Sequence, residues 1–317
     1  MKDLSIVIPF MRYRRFGLAI SIVLMLGSIT ALAVKGLNFA LDFTGGTQVQ
    51  IIYNTAPDLE VIRQTLDEAG FTGNEVVAIG SDTTIQVSVQ NRTSDDATDD
   101  ATESGETAQY VTQLLIDAAG GQARSGGSSF ISSQVGDDLM EQGGLGMLVA
   151  IIMMMSYIAF RFQFKFAFGA VWSIVHDVLF TLGFMAITQL DFDLNALASI
   201  LAIIGKSMND TVVVADRIRE NFRLLRNADP ERIVDTSLSQ TLVRTTITAV
   251  TTLLVLFALF FYGGQALYGF SLVLIVGSFI GLYSSIYVAS GTLLFLTLSK
   301  EDMAPPEKRD AELEAIP

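Results

Sequence analysis

With 317 residues, 50% of them hydrophobic, a mean hydropathy of +0.48 and only 17% charged residues, the chain is too apolar for an ordinary soluble domain and belongs in a membrane. It has no cysteine, which excludes disulfides and thiolate metal sites, and its single histidine, His176, excludes a multi-histidine metal centre within the chain. The net charge of −13 is concentrated in residues 38–142, where 17 acids meet 3 bases, while the remaining 16 acids and 17 bases nearly cancel.

A bilayer core of about 30 Å takes about 20 apolar residues in a helix. Six stretches qualify, at 16–37, 143–160, 166–190, 194–214, 244–262 and 269–298. The first follows Arg12, Arg14 and Arg15 and reaches Ala31-Leu32-Ala33, the outline of a secretion signal. Its apolar run exceeds the roughly 7–15 residues of a signal core, so it is expected to remain as an anchor. Lysine and arginine set the orientation. Arg12, Arg14 and Arg15, then Arg161 and Lys165, then Arg217, Arg219, Arg223, Arg226 and Arg232, and finally Lys300, Lys308 and Arg309 fall on one side, and the loops 191–193 and 262–268 carry no base. Both termini are therefore expected in the cytoplasm. The expected organisation is 1–37 for the cytoplasmic N-terminus and first helix, 38–142 for an exported domain, 143–298 for helices two to six, and 299–317 for a cytoplasmic tail.

Within the exported segment Thr47–Tyr53 alternates like a strand, and Leu59, Ile62, Leu66 and Ala69 recur at helical spacing. Two short strands at Glu75–Ile79 and Thr84–Val89 flank Gly80-Ser81-Asp82, a helix is expected at Tyr110–Ala118, and a last strand at Ser128–Val135. The order βαββαβ predicts a ferredoxin-like α+β sandwich. The polar linker 91–106 carries TSDDATDDATESGE, whose acids lack EF-hand spacing and read as a solvated loop, not a calcium site.

Ionisable groups inside the spans cost at least about 2.5–3.5 kcal/mol each on insertion scales, so they mark pathways or pair with one another. Gly205-Lys206-Ser207 is not the end of a phosphate loop, because the glycine required five residues earlier is Ile200. Lys206 and Asp210 are four apart on one helical face and can form an ion pair, with Asn209 beside them. Arg244 opens the fifth segment at a depth matching Asp210, so helix packing is expected to bring the two together, the alternative being that Arg244 reaches for the headgroups. His176 and Asp177 lie near mid-membrane and suit either a relay step or a hydrogen-bonded helix pairing. Met153, Met154 and Met155 read as lipid-facing or packing surface. No nucleotide or cofactor site is visible, and the arginines from 217 to 226 read as orientation determinants, not nucleic-acid contacts.

Five stretches together resemble the SecF family of bacterial protein-export membrane subunits: LDFTGGT at Leu41–Thr47, HDV at His176–Val178, SMNDTVVVADRIRENFR at Ser207–Arg223, TLVRT at Thr241–Thr245 and SSIYVAS at Ser284–Ser290. Six spans with a large exported domain after the first is also that family's layout, one half of a resistance-nodulation-division architecture. The resemblance implies a multi-pass protein of the bacterial inner membrane with its large loop in the periplasm. It implies pairing with SecD, work beside the SecYEG channel, often with YajC, and contact with translocating secretory polypeptides. A proton or sodium gradient would drive the exported domains. Asp210 and Arg244 occupy the positions of the family's functional acid and base, with a partner aspartate from SecD. Asp42, Phe43, Thr44, Gly45 and Gly46 match its signature at the junction of first span and exported domain, which by itself reads as a turn or hinge entering a strand. Lys206 departs from the tyrosine common there. An ammonium one turn before Asp210 would favour the ionised carboxylate, or would itself titrate, and leaves proton and sodium both open as the coupling ion.

Two other functions fit less well. A self-sufficient exporter of lipids or drugs would need more than six spans, and an intramembrane protease with Asp177 and Asp210 as its dyad lacks the Gly-x-Gly-Asp signature. A passive scaffold requires that neutralising Asp210 has no effect.

Overall fold

The computed structural model describes residues 7–71, 74–79, 81–90, 100–161, 164–225 and 228–296. Most of the acidic linker, at 91–99, together with Arg226, Lys300, Lys308, Arg309 and the expected tail 299–317, lies outside them. Among the described residues six helices are long and apolar enough to cross a membrane.

A 3₁₀ turn at Phe10–Tyr13 leads into α1 (Arg14–Lys35). Then follow β1 (Asn38–Phe39), the one-turn α2 (Leu41–Thr44), β2 (Gly46–Tyr53), α3 (Leu59–Glu68), β3 (Glu75–Ala78), β4 (Thr84–Val89), α4 (Asp100–Ala118) and β5 (Ala123–Ile131). Strands β2 to β5 form one sheet in the order β3-β4-β2-β5 with every neighbouring pair antiparallel. The two-residue period puts Val49, Ile51, Val76, Ile85, Val87 and Val89 on one face, where they close a core with Ile62 and Leu66 of α3 and Val111 and Leu115 of α4. Asp58 starts α3 by accepting from Glu60 N at 2.9 Å.

The last strand lies upstream of its expected place at 128–135. Gly126 and Gly127 sit inside it: a Cβ on Gly126 would come within 3.1 Å of Gln50, so glycine lets the strand run close against β2. Ser133 then opens α5 (Ser133–Arg161) instead of ending a strand. The helix of the second span, expected from 143, starts at Ser133, because its polar first turns contain no proline and continue the helix beyond the apolar run. Helix α4 likewise starts at Asp100 and takes in part of the expected linker.

The remaining spans are α6 (Phe164–Thr188), α7 (Leu194–Leu224), α8 (Pro230–Tyr262) and α9 (Gln265–Ser284), the last continued by a π-helical turn at Ser285–Ala289 and α10 (Ser290–Phe295). Strand β6 (Asp191–Phe192) bridges α6 and α7 and pairs parallel with β1. At 1.5 Å per residue α7 is about 46 Å long, more than the bilayer core requires. Its excess, 215–224, packs on the start of α8, where Asn221 Nδ2 donates to Ser237 Oγ at 2.8 Å.

Helices α6, α7 and α9 form the centre of the bundle around Ile174, Met185, Ile200, Ile203, Ile204 and Val273. Small residues bring the helices close: a Cβ on Gly277 would fall 2.1 Å from Ile203, and one on Gly183 would fall 2.6 Å from the Cα of Ser28 on α1. Helix α5 is the opposite case, its apolar stretch exposed along Leu145, Leu148, Val149, Ile152 and Met153.

Candidate functional site

Two charged sites lie inside the bundle. In the first, Asp177 of α6 is fully buried and holds three spans together. Ser207 Oγ of α7 donates to Asp177 Oδ2 at 2.5 Å, and Ser284 Oγ of α9 lies 2.8 Å from the same oxygen. Ser173 Oγ, one turn before Asp177 on α6, donates to Ser284 Oγ at 3.0 Å. His176 Nδ1 stands 3.1 Å from the other carboxylate oxygen. Its Nε2 is buried without a hydrogen-bond partner among the described residues, and its ring lies 6.3 Å from that of Tyr283. Gly281 leaves room for this convergence, since a Cβ there would stand 3.6 Å from Ser207 and 3.8 Å from the carboxylate. The site joins α6, α7 and α9 at one carboxylate with its donors inside the chain.

The second site is on α7. Lys206 Nζ lies 3.2 Å from Asp210 Oδ2, with the Asp210 side chain 4% exposed and that of Lys206 21%. Asn209 is exposed. Arg244 is exposed on α8, as are the apolar Val243 and Ile247 near it in sequence. The intrahelical ammonium satisfies the carboxylate at i, i+4, and the arginine keeps its guanidinium outside the bundle. The pair Asp177 and Asp210 is kept apart in role as well as in place, since Ser207 and Lys206, neighbours on one helix, serve one carboxylate each.

A third cluster lies where the first span meets the α+β unit. Asp42, within α2, accepts from Leu194 N at 3.1 Å, while Asp193 accepts from Ala196 N at 2.7 Å. Phe43 packs edge-on or tilted against Phe39 and Phe192, with ring centroids 5.5–6.1 Å apart. Thr44 Oγ1 donates to Ala40 O at 3.3 Å. Gly45 and Gly46 take φ of 70° and 148°, and a Cβ on Gly46 would fall 2.6 Å from Val89 O, so this entry into β2 requires glycine. Beside the junction is a cavity of about 490 Å³ between the open face of the sheet and the α6–α7 connection, lined by Asp42, Glu75, Asp191, Asp193 and Arg63 among others. The Glu75 carboxyl is pushed up to about 7, first by burial and then by the charges of Asp191, Asp193 and Asp42. Burial and then Asp193 also raise Asp191.

The serines around Asp177 and the cap made by Asp42 are not legible as sites in the sequence. Ser207 falls inside a recognised stretch, but nothing local says that its hydroxyl points at a residue 30 positions away.

The two family models that match define a class, the protein-export membrane proteins SecD and SecF: the SecD/SecF C-terminal region matches residues 111–299, and the SecD/SecF GG motif matches residues 30–53. Protein translocase subunit SecF of Pseudomonas aeruginosa is 41% identical over 96% of this chain and 96% of its own length, and SecF of Vibrio alginolyticus is 41% identical over 98% of this chain and 97% of its own. The solved structure of SecDF, a translocon-associated membrane protein from Thermus thermophilus, is similar with a TM-score of 0.77 and 32% identity over 93% of this chain; this chain spans 39% of that longer one. SecDF in its super-membrane-facing form is similar with a TM-score of 0.71 and 30% identity over the same 93%. The chain belongs to the SecF family of protein translocase subunits.

Two outcomes follow from these geometries. Asp177→Ala strands the buried hydroxyl of Ser207 and the Nδ1 of His176 and takes one partner from Ser284, and is expected to cost about 3 kcal/mol, read as a lowered thermal midpoint in detergent. For Glu75, an unfolded carboxyl ionises near 4.5 while the folded one resists until about 7. Stability therefore falls as pH rises through that window and levels off above it. Glu75→Gln is expected to flatten the fall, measured as the thermal midpoint against pH.

Proposed function

We propose that this chain is the SecF half of an ion-driven export accessory complex, which works with SecD beside the SecYEG channel, often with YajC, on emerging secretory polypeptides. It lies in the bacterial inner membrane with both termini in the cytoplasm. The α+β unit is a ferredoxin-like domain in the periplasm, and it holds or pulls the polypeptide when ions move through the bundle. In domain terms, 1–37 anchors and enters the membrane, 38–142 is periplasmic, 143–298 spans the membrane and 299–317 is the cytoplasmic tail. No cofactor takes part; the coupling ion is a proton or sodium.

One observation carries the reading: Asp210 is buried within a membrane span with a single ammonium beside it, while Lys206, Asn209 and Arg244 remain open to whatever covers the bundle. Two cations and one carboxylate are an incomplete set in a medium that penalises unpaired charge. A carboxylate from a facing SecD subunit would balance them and complete a relay. His176 and Asp177, tied together with three hydroxyls, serve helix pairing and not the ion path. The energy is sufficient in kind, since one elementary charge crossing 100 mV releases about 2.3 kcal/mol.

The test is export of a secretory protein into inverted inner-membrane vesicles carrying wild type, Asp210→Asn or Lys206→Tyr at equal subunit levels, with proton and sodium gradients imposed separately. Asp210→Asn is expected to lose the gradient-stimulated part of export, and Lys206→Tyr to alter which gradient stimulates. Full stimulation in Asp210→Asn would leave the chain a passive scaffold.

A further inference from the structure

The junction cluster suggests how an event at Asp210 reaches the α+β unit. Helix α7 runs unbroken from Leu194 to Leu224. Asp210 lies 16 residues beyond its first residue, about 24 Å along the axis. The first-turn amides of α7 are served by two carboxylates, the N-cap Asp193 on Ala196 N and Asp42 on Leu194 N, the latter 152 residues away in sequence. A carboxylate at a helix N-terminus is held by the positive end of the helix dipole as well as by the hydrogen bond.

The turn that carries Asp42 is held from several sides. The parallel pairing of β1 with β6 sets Asn38 beside Asp191 and Phe39 beside Phe192, with Asn38 Nδ2 donating to Asp191 Oδ1 at 2.6 Å and Ala40 N to Phe192 O at 3.1 Å. Two residues after α2, β2 begins, pressed against Val89 O at Gly46. From the other end of the α+β unit, α5 comes so close that a Cβ on Gly136 would fall 2.6 Å from Phe43 O. Both chain connections of the α+β unit therefore meet the start of α7 at this one turn.

We propose that Asp42 is a positioning residue that clamps the start of α7 to the α+β unit, so that a shift of α7 at Asp210 is carried into the unit through the Asp42–Leu194 bond. The proposal rests on the relay reading of Asp210 and adds the mechanical link that reading lacks. In it the junction is a strut, and Gly46 serves close approach to β4 instead of free bending.

The test is hydrogen exchange on the full chain assembled with SecD in nanodiscs, comparing Asp210→Asn with its parent in four backgrounds: wild type, Asp42→Ala, Leu194→Pro and Asp42→Asn. The proline removes the amide donor at a first helical position that tolerates proline, while Asp42 stays in place and the exposed Leu194 side chain is little missed. In the wild-type background Asp210→Asn is expected to change exchange in 38–53 by about threefold or more, a coupling of ordinary size. In Asp42→Ala and Leu194→Pro the change is expected to vanish, and in Asp42→Asn, which can still accept, to persist in part. An equal change in all backgrounds, or none in wild type, would overturn the proposal. Gradient-stimulated export by the same Asp210→Asn membranes reports separately on the relay, because exchange is read without any gradient.

Discussion

A carboxylate taken out of water must find its donors inside the protein, and in this bundle the buried Asp177 finds them on three helices at once. The packing of the central helices α6, α7 and α9 is tied to that convergence. Ser207 on α7 and Ser284 on α9 reach one oxygen, which fixes the rotation of both helices about their axes, and Gly277 and Gly281 let α9 approach closely enough for this to happen. With Ser207 turned inward, Asp210 three residues on stays buried on the same side of α7, while its neighbour Lys206 is partly exposed. Asp177 is a closed site and Asp210 an open one, and the first orients the second.

In the proposed reading the open site is where this chain is incomplete. An ion pair of Lys206 with Asp210 and a guanidinium at Arg244 with no partner among the described residues would be costly against hydrocarbon, and would become acceptable if a second protein supplied a carboxylate. That fits a chain which spans 39% of the SecDF polypeptide it resembles. The exposed apolar lengths of α1, α5 and α8 are consistent with a bundle covered by lipid and by a partner, though only the charged edge of α7 and α8 carries a chemical reason for protein to lie there.

The six spans, the succession of strands and helices in the α+β unit and the Lys206–Asp210 pair were legible in the sequence because each rests on short-range periodicity: runs of apolar residues, alternation, and an i, i+4 spacing. What was not legible depends on distance in the chain. The cap from Asp42 to Leu194 crosses 152 residues and the tie from Ser284 to Asp177 crosses 107, and neither leaves a local pattern. For Arg244 matching depth left both outcomes open, contact with Asp210 or reach toward the headgroups, because depth says nothing about rotation, and the structure shows the residue exposed. The start of α5 was missed for the opposite reason, since hydropathy reports where a helix enters lipid and not where it begins. The pairing of β1 with β6 involves two residues on each side, too few for any alternation to reveal.

The chain contains no cysteine, so a single one placed at Asn209 reports its surroundings cleanly. The most direct measurement is labelling of Asn209→Cys by a lipid-dissolved maleimide in membranes with and without co-expressed SecD. If the charged edge of α7 is completed by a partner, labelling is strong for the chain alone and suppressed in the complex. Equal labelling in both would mean that this edge faces lipid, and the account of Asp210, Lys206 and Arg244 as half of a shared site would be wrong.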